Sequence, residues 1–144
     1  MLFNTSKYAI RASIFLALHA EDDQKVDIKT IAGALKIPSP FLAKILQQLA
    51  KQKLLLSTKG PNGGFSLGKD ADEISIYEII SIIDGQDMFE KCLISLRTCN
   101  EEGIPCPMHD KYDSIRKDMI KMFKEQTLGN LTRDMKTQKK IIAL

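Results

Sequence analysis

Apolar positions in the first third of the chain fall into short helical stripes separated by polar breaks. From Ser6 to Glu21, the residues Tyr8, Ala9, Ala12, Ile14, Phe15, Leu16 and Leu18 make a broad stripe that predicts a first helix, closed by the polar run EDDQ. Asp27 is placed to cap a second, short helix through Ile28, Ile31, Ala32 and Leu35. The KIPSP that follows ends it, because proline lacks the amide that the next helical turn requires. A third helix opens with Ser39 as its cap and Pro40 in its first turn, and Leu42, Ile45, Leu46 and Leu49 occupy one face at i, i+3, i+4, i+7. The opposite face carries Ser39, Ala43, Lys44, Gln47, Gln48 and Lys51, side chains suited to phosphates and base edges.

The next stretch changes period. LLLSTKGPNGGFSLGK predicts two short strands, near Leu55 to Thr58 and Gly64 to Leu67, joined by a turn rich in glycine and proline. Two short helices with a tight turn, followed directly by a hairpin, form the layout of a winged helix-turn-helix. The tip of the wing, Lys59-Gly60-Pro61-Asn62-Gly63-Gly64, has little side-chain bulk to keep its backbone from a phosphate or a minor groove. A fourth helix opens at Ser75, with Glu78 completing a capping box, and stops at Gly85. Near the end, Met108, Tyr112, Ile115, Met119 and Met122 alternate in steps of four and three, the rhythm of a helix packed on a partner helix, which should run to Leu128 or Leu131. So small a chain has too few companions to cover that seam. A two-fold copy would cover it and set two recognition helices roughly 34 Å apart. The expected fold is mostly α with a small β-hairpin wing: a winged helix-turn-helix domain over residues 1–85, a cysteine-bearing segment over 86–110, and a dimerisation helix with its tail over 111–144.

Charge sharpens this picture because it is not evenly spread. Residues 25–70 hold eight lysines against Asp27 and Asp70, a local net of +6 within a chain whose total is +3, so the remainder carries −3. Such segregation suits a surface that binds a polyanion, and Lys7, Lys29, Lys44, Lys51 and Lys59 are the expected phosphate contacts, with Ser39, Pro40, Ala43, Lys44 and Gln47 facing bases. Arg11 is either a further phosphate contact or a surface charge of the first helix, and His19 is expected to be a partly buried structural residue. No apolar run approaches the roughly 18 residues that cross a bilayer, and the start lacks a signal-peptide core, so the expected location is the cytoplasm.

In that compartment, thiols stay reduced. All three cysteines fall in CLISLRTCNEEGIPCPMH, at Cys92, Cys99 and Cys106, with His109 closing the series. Three thiols seven residues apart would share a helix face, but Pro105 and Pro107 break any helix through Cys106. A loop concentrating soft donors points to a metal. The intervals are wider than the paired spacing of zinc sites and suit an iron-sulfur cluster, which is held by thiolates and admits histidine; the residues alone leave cluster, zinc and inert thiols open. A Cys106–His109 nucleophile and base would need an oxyanion device that the proline-bounded segment does not offer, so no enzyme is expected.

Taken together, TSKYAIRA, the helix pair TIAGALKIPSPFLAKILQQLAKQKLL, the wing STKGPNGGFSLGK and a cysteine triplet before a long terminal helix resemble the Rrf-two family of bacterial transcription regulators, of the IscR-, NsrR- and RirA-like iron-sulfur type. The likeness spans nearly the whole chain. It implies a homodimer, a repressor in the main, that binds palindromic double-stranded operator DNA and senses iron, redox state or nitric oxide through an iron-sulfur cluster, a two-iron form in preference to a four-iron one. Cys92, Cys99 and Cys106 fall on the family's three cluster ligands and His109 on the histidine ligand of IscR-like members, with Glu101 and Glu102 as weaker choices. The acidic ligand that NsrR-like members carry before the Tyr-Ala pair is here Lys7. A cluster-free regulator, controlled by thiol oxidation or stabilised by zinc, is the alternative.

Overall fold

The computed structural model describes residues 2–20, 24–94, 98 and 106–137. The first helix, α1, spans Asn4–Leu18 and is the central strut, packed by the second, third and fourth helices and by the last one. Its buried face alternates small residues, Ser6, Ala9, Ala12 and Ser13, with Ile14 and Leu16, which lets several neighbours approach closely. It starts two residues before the expected Ser6, because the Lys7 amide already bonds the Phe3 carbonyl (3.1 Å), and it ends at Leu18 rather than Glu21.

Helix α2 (Ile28–Leu35) is capped as expected: the Asp27 carboxylate accepts from the Thr30 amide (3.0 Å) and from its hydroxyl (2.5 Å). Those two bonds hold the Asp27 carboxyl below the usual range, the hydroxyl contributing most. Lys36 closes the helix in the left-handed conformation at φ 55°. Helix α3 (Ser39–Lys51) buries Leu42, Ile45, Leu46 and Leu49, the face the periodicity predicts. Its cap is Pro38 rather than Ser39: the first helical bond runs from the Leu42 amide to the Pro38 carbonyl (3.0 Å), which draws Ser39 into the helix, where its side chain caps nothing.

Strands β1 (Leu55–Thr58) and β2 (Gly64–Leu67) pair antiparallel with Leu55 opposite Leu67 and Thr58 opposite Gly64, so the wing has the expected bounds. A third backbone joins them, since Val26 and Phe65 exchange both amide-to-carbonyl bonds (2.9 and 2.8 Å). That pairing explains Gly64, where a Cβ would stand 2.5 Å from the Val26 carbonyl oxygen. At the tip Gly60 has φ +106°, a conformation closed to side chains, and its carbonyl accepts from the Gly63 amide (2.9 Å).

A 3₁₀ turn, Ala71–Glu73, leads into α4 (Ile76–Ile83), whose cap is the Ser75 hydroxyl accepting from the Glu78 amide (3.1 Å). Only half of the capping box forms, because the Glu78 carboxylate pairs with Lys69 (2.8 Å) instead of returning to the Ser75 amide. A four-residue helix, α5 (Asp87–Glu90), follows with Phe89 buried. The final helix is two helices. Helix α6 (His109–Glu125) ends as Gln126 turns extended, and Thr127 bridges Ser75, with Ile76 donating to Gln126 (2.9 Å) and Leu128 to Ile74 (2.9 Å). The Thr127 hydroxyl then caps α7 (Leu128–Thr137) by accepting from the Asn130 amide (3.1 Å). The expected single helix to Leu128 or Leu131 is therefore broken at residues 126–127, and α7 turns back onto α1 and the 3₁₀ turn, sealed by fully buried Leu128 and by Arg133 on Asp72 (2.7 Å). Among the described residues, no helix is long and apolar enough to cross a membrane.

Candidate functional site

The outward face of α3 is a ridge of polar side chains beside the wing. Pro40, Lys44, Gln47 and Lys51 are exposed, and Ser39 and Ala43 are half-buried at its edge. Ala43, Lys44, Gln47, Gln48 and Lys51 line one shallow concavity along the helix. Gln47 donates to the Ser57 hydroxyl of β1 (3.2 Å), so this face is braced against the wing. Lys59, Gly60, Pro61 and Asn62 project at the tip, with Gly63 half-buried behind them. Lys7 and Lys29 are exposed on α1 and α2. The start of α1 meets the start of α3 where the rings of Tyr8 and Phe41 make an edge-to-face pair (5.8 Å, 90°). The expected phosphate-binding lysines thus stand in water on the elements of the helix-turn-helix and wing.

Arg11 and His19 both make contacts within the fold. The Arg11 guanidinium donates to the Leu35 carbonyl (3.3 Å), satisfying the open end of α2, and lies over the Tyr8 ring (5.9 Å). His19 is exposed rather than partly buried; its Nδ1–H donates to the Phe15 carbonyl (2.7 Å) and its ring lies on Phe15.

Helix α6 divides its apolar residues between two faces. Ile120 and Phe123 pack on the core of their own protomer, while Met108 (36% exposed), Ile115 (63%) and Met122 (50%) point to solvent. Tyr112 is half-buried, and Met119 contributes to the core, so the expected interface stripe is exposed at three of its five positions. Buried Arg116 pairs with Asp113 (2.5 Å) across the Tyr112 ring, and Lys117 holds the other Asp113 oxygen (2.6 Å). These cations keep the Asp113 carboxyl at about 2, Lys117 contributing most.

The cysteine segment connects α5 to α6. Cys92 follows α5 directly and is half-buried, next to a bridge between Lys91 and Thr98 that turns the chain back on itself. Cys106, also half-buried, enters α6 through a tight turn closed by its carbonyl accepting from the His109 amide (2.9 Å), so a thiol and a half-buried imidazole share one turn. Cys99, Glu101 and Glu102 lie outside the described residues. Among the described residues, no three metal-ligating side chains come together; by type alone, the thiols of Cys92 and Cys106 and the imidazole of His109 are soft donors of the kind that hold an iron-sulfur cluster. Sequence reasoning missed the aromatic contacts behind this segment. Phe89, three residues before Cys92, stacks on Tyr77 of α4 (4.7 Å, 26°) and packs edge-on with Phe123 of α6 (6.3 Å), while the Lys124 ammonium lies over the Tyr77 ring, 4.8 Å from its centre.

The chain is similar to known proteins in sequence and in fold. The profile of the Rrf2 (Rrf-two) family, described as an iron-dependent transcriptional regulator, matches residues 2–134. An HTH-type transcriptional regulator of Aquifex aeolicus is 38% identical over 133 residues, covering 91% of each chain. The HTH-type transcriptional regulator IscR of Photobacterium profundum is 29% identical, over 95% of this chain and 78% of its own. In three dimensions the chain is similar to CymR, the global cysteine regulator of Bacillus subtilis, with a TM-score of 0.78 at 20% identity, over 92% of this chain and 96% of that one. The exposed, lysine-flanked α3, the glycine-built wing and these matches together establish that the chain belongs to the Rrf2 family of helix-turn-helix transcriptional regulators, not to an enzyme family.

Proposed function

We propose that this regulator acts in the cytoplasm as a homodimer on palindromic operator DNA, and that its affinity is set by an iron-sulfur cluster held by Cys92, Cys99, Cys106 and His109. The observation that carries the reading is the position of Cys92 and of the Cys106–His109 turn at the two ends of the segment joining α5 to α6. Bound there, a cluster supplies reversible electron transfer and reactivity toward oxidants and nitric oxide.

The chain itself supplies the linkage. Restraining Cys92 restrains α5, whose Phe89 stacks on Tyr77 of α4, and restraining Cys106 fixes the first turn of α6. Helix α4 packs on both α1 and α3, so its tilt is passed to the DNA-reading face. Met108, Ile115 and Met122, exposed on one side of α6, suit burial against a second copy, which would set the spacing of two recognition helices. A coupling of about 1–3 kcal/mol between the two sites corresponds to a 5- to 150-fold change in operator affinity.

The test pairs two measurements on the full chain. Anaerobically purified protein should be brown and contain iron and acid-labile sulfide, and it should retain a duplex selected from a randomised synthetic pool, with affinity falling steeply as salt rises. Lys59→Ala should weaken binding to every duplex and reduce the salt slope by about one, the signature of one lost phosphate contact. An unchanged slope removes Lys59 from the interface, and absence of duplex retention removes the DNA reading. Colourless protein that neither contains nor takes up iron and sulfide, yet whose affinity responds to peroxide, identifies the thiol alternative, for which half-buried Cys92 and Cys106 are the reacting groups.

A further inference from the structure

The first turn of α3 presents an aromatic ring where a polar side chain would be expected. Phe41 is 41% exposed and lies off the buried stripe of Leu42, Ile45, Leu46 and Leu49, on the side shared with Lys44 three residues later. The ring is fixed in place: Tyr8 meets it edge-to-face at 5.8 Å, and Tyr8 is itself covered by Arg11, which is anchored on the Leu35 carbonyl. A part-exposed phenyl ring one turn before exposed Lys44 adds nothing to a phosphate contact and has no hydrogen bond to offer a base. The apolar feature that a base edge displays in the major groove is the thymine methyl group.

Resting on the reading of α3 as the major-groove helix, we propose that Phe41 reads a thymine C5-methyl group in each half-site. The exposed lysines of the same helix, Lys44 and Lys51, select the occupant, since positive charge beside an apolar group complements duplex DNA and repels a basic protein surface. The ring already packs edge-to-face on Tyr8, so ordering it on binding costs less than for a ring with no neighbour.

The experiment is a cycle between protein and base, using the duplex that wild-type protein selects from a randomised synthetic pool. Each thymine of a half-site is replaced in turn by uracil, which removes only the methyl group. For wild type, one symmetric position should lose roughly three- to five-fold in affinity, the scale of one methyl withdrawn from apolar contact. For Phe41→Ala, the same replacement should change affinity by less than half again, and Phe41→Leu, which keeps an apolar side chain, should retain part of the discrimination. Both variants should keep the wild-type melting temperature to within a few degrees, as expected for an exposed ring. Losses that are the same in wild type and Phe41→Ala at every thymine overturn the proposal, as does a Phe41→Ala variant that weakens all duplexes equally, which would mark packing on the sugar-phosphate backbone. A Phe41→Ala variant with unaltered affinity overturns it too and assigns the ring to another partner. Failure of wild type to retain any duplex is a different outcome, because it removes the DNA reading on which the contact depends.

Discussion

Phe89→Ala should cost about 3–5 kcal/mol of stability and, in the protein that still folds, should break the proposed link between the cysteine segment and the exposed face of α3. Phe89 is 3% exposed and is the buried residue of α5, a helix of four residues that cannot hold itself together without packing. Its ring lies between Tyr77 of α4 and Phe123 of α6, so truncation leaves a cavity beside both rings and forfeits the Tyr77 stack, worth about 0.5–1.5 kcal/mol beyond the area lost. Urea denaturation reads the first effect as a lower midpoint. The second is read as the ratio of operator affinities before and after the protein is stripped of iron, which should collapse toward one. Phe89→Leu fills most of the volume without the stack and should fall between the two on both measures. A Phe89→Ala protein that loses stability but keeps the full affinity ratio would show that α5 only supports the fold.

How much of this was legible in the residues differs from element to element. Helix α3 and the wing were readable because local patterns fix them: four apolar residues at helical spacing, and two short strands around a glycine turn whose register follows from its length. The cap of α3 was misread because proline and serine both serve at a helix start, and the choice rests on which carbonyl the Leu42 amide reaches. The break at Gln126–Thr127 carried a local sign, a threonine three residues before Asn130, but its cause is distant in sequence: Thr127 lies against Ser75. The lost half of the capping box has the same origin, since Lys69 takes the carboxylate that local pattern assigned to the Ser75 amide. At the candidate site, the lysines were visible as a charge imbalance and the cysteines as a spacing. The Phe41–Tyr8 pair, the Arg11 cap and the Tyr77–Phe89–Phe123 contacts were not, because each joins separate elements and obeys no periodicity.

Cys106→Ala should strip the anaerobically purified protein of iron and acid-labile sulfide while leaving its melting temperature at that of iron-stripped wild-type protein. Those two outcomes separate a ligand from a packing residue. Cys106 is half-buried at a turn, not in the core, so exchanging its thiol for a methyl removes little apolar burial, and the backbone bond from the His109 amide to residue 106 survives the change. Operator affinity should then settle at the value of stripped wild-type protein, displaced 5- to 150-fold from the iron-loaded one if the coupling lies in the usual range. His109→Ala should retain some iron but release it faster, since three thiolates remain. Asp113→Asn is the control on the same helix: its carboxylate is engaged by Lys117 and Arg116, so neutralising it removes two ion pairs of α6 without touching a thiol or the imidazole, and iron content should hold. Iron lost from Asp113→Asn as fully as from Cys106→Ala would mean that the integrity of α6, rather than the sulfur at its entrance, governs retention. Iron kept by Cys106→Ala would remove this cysteine from the ligand set.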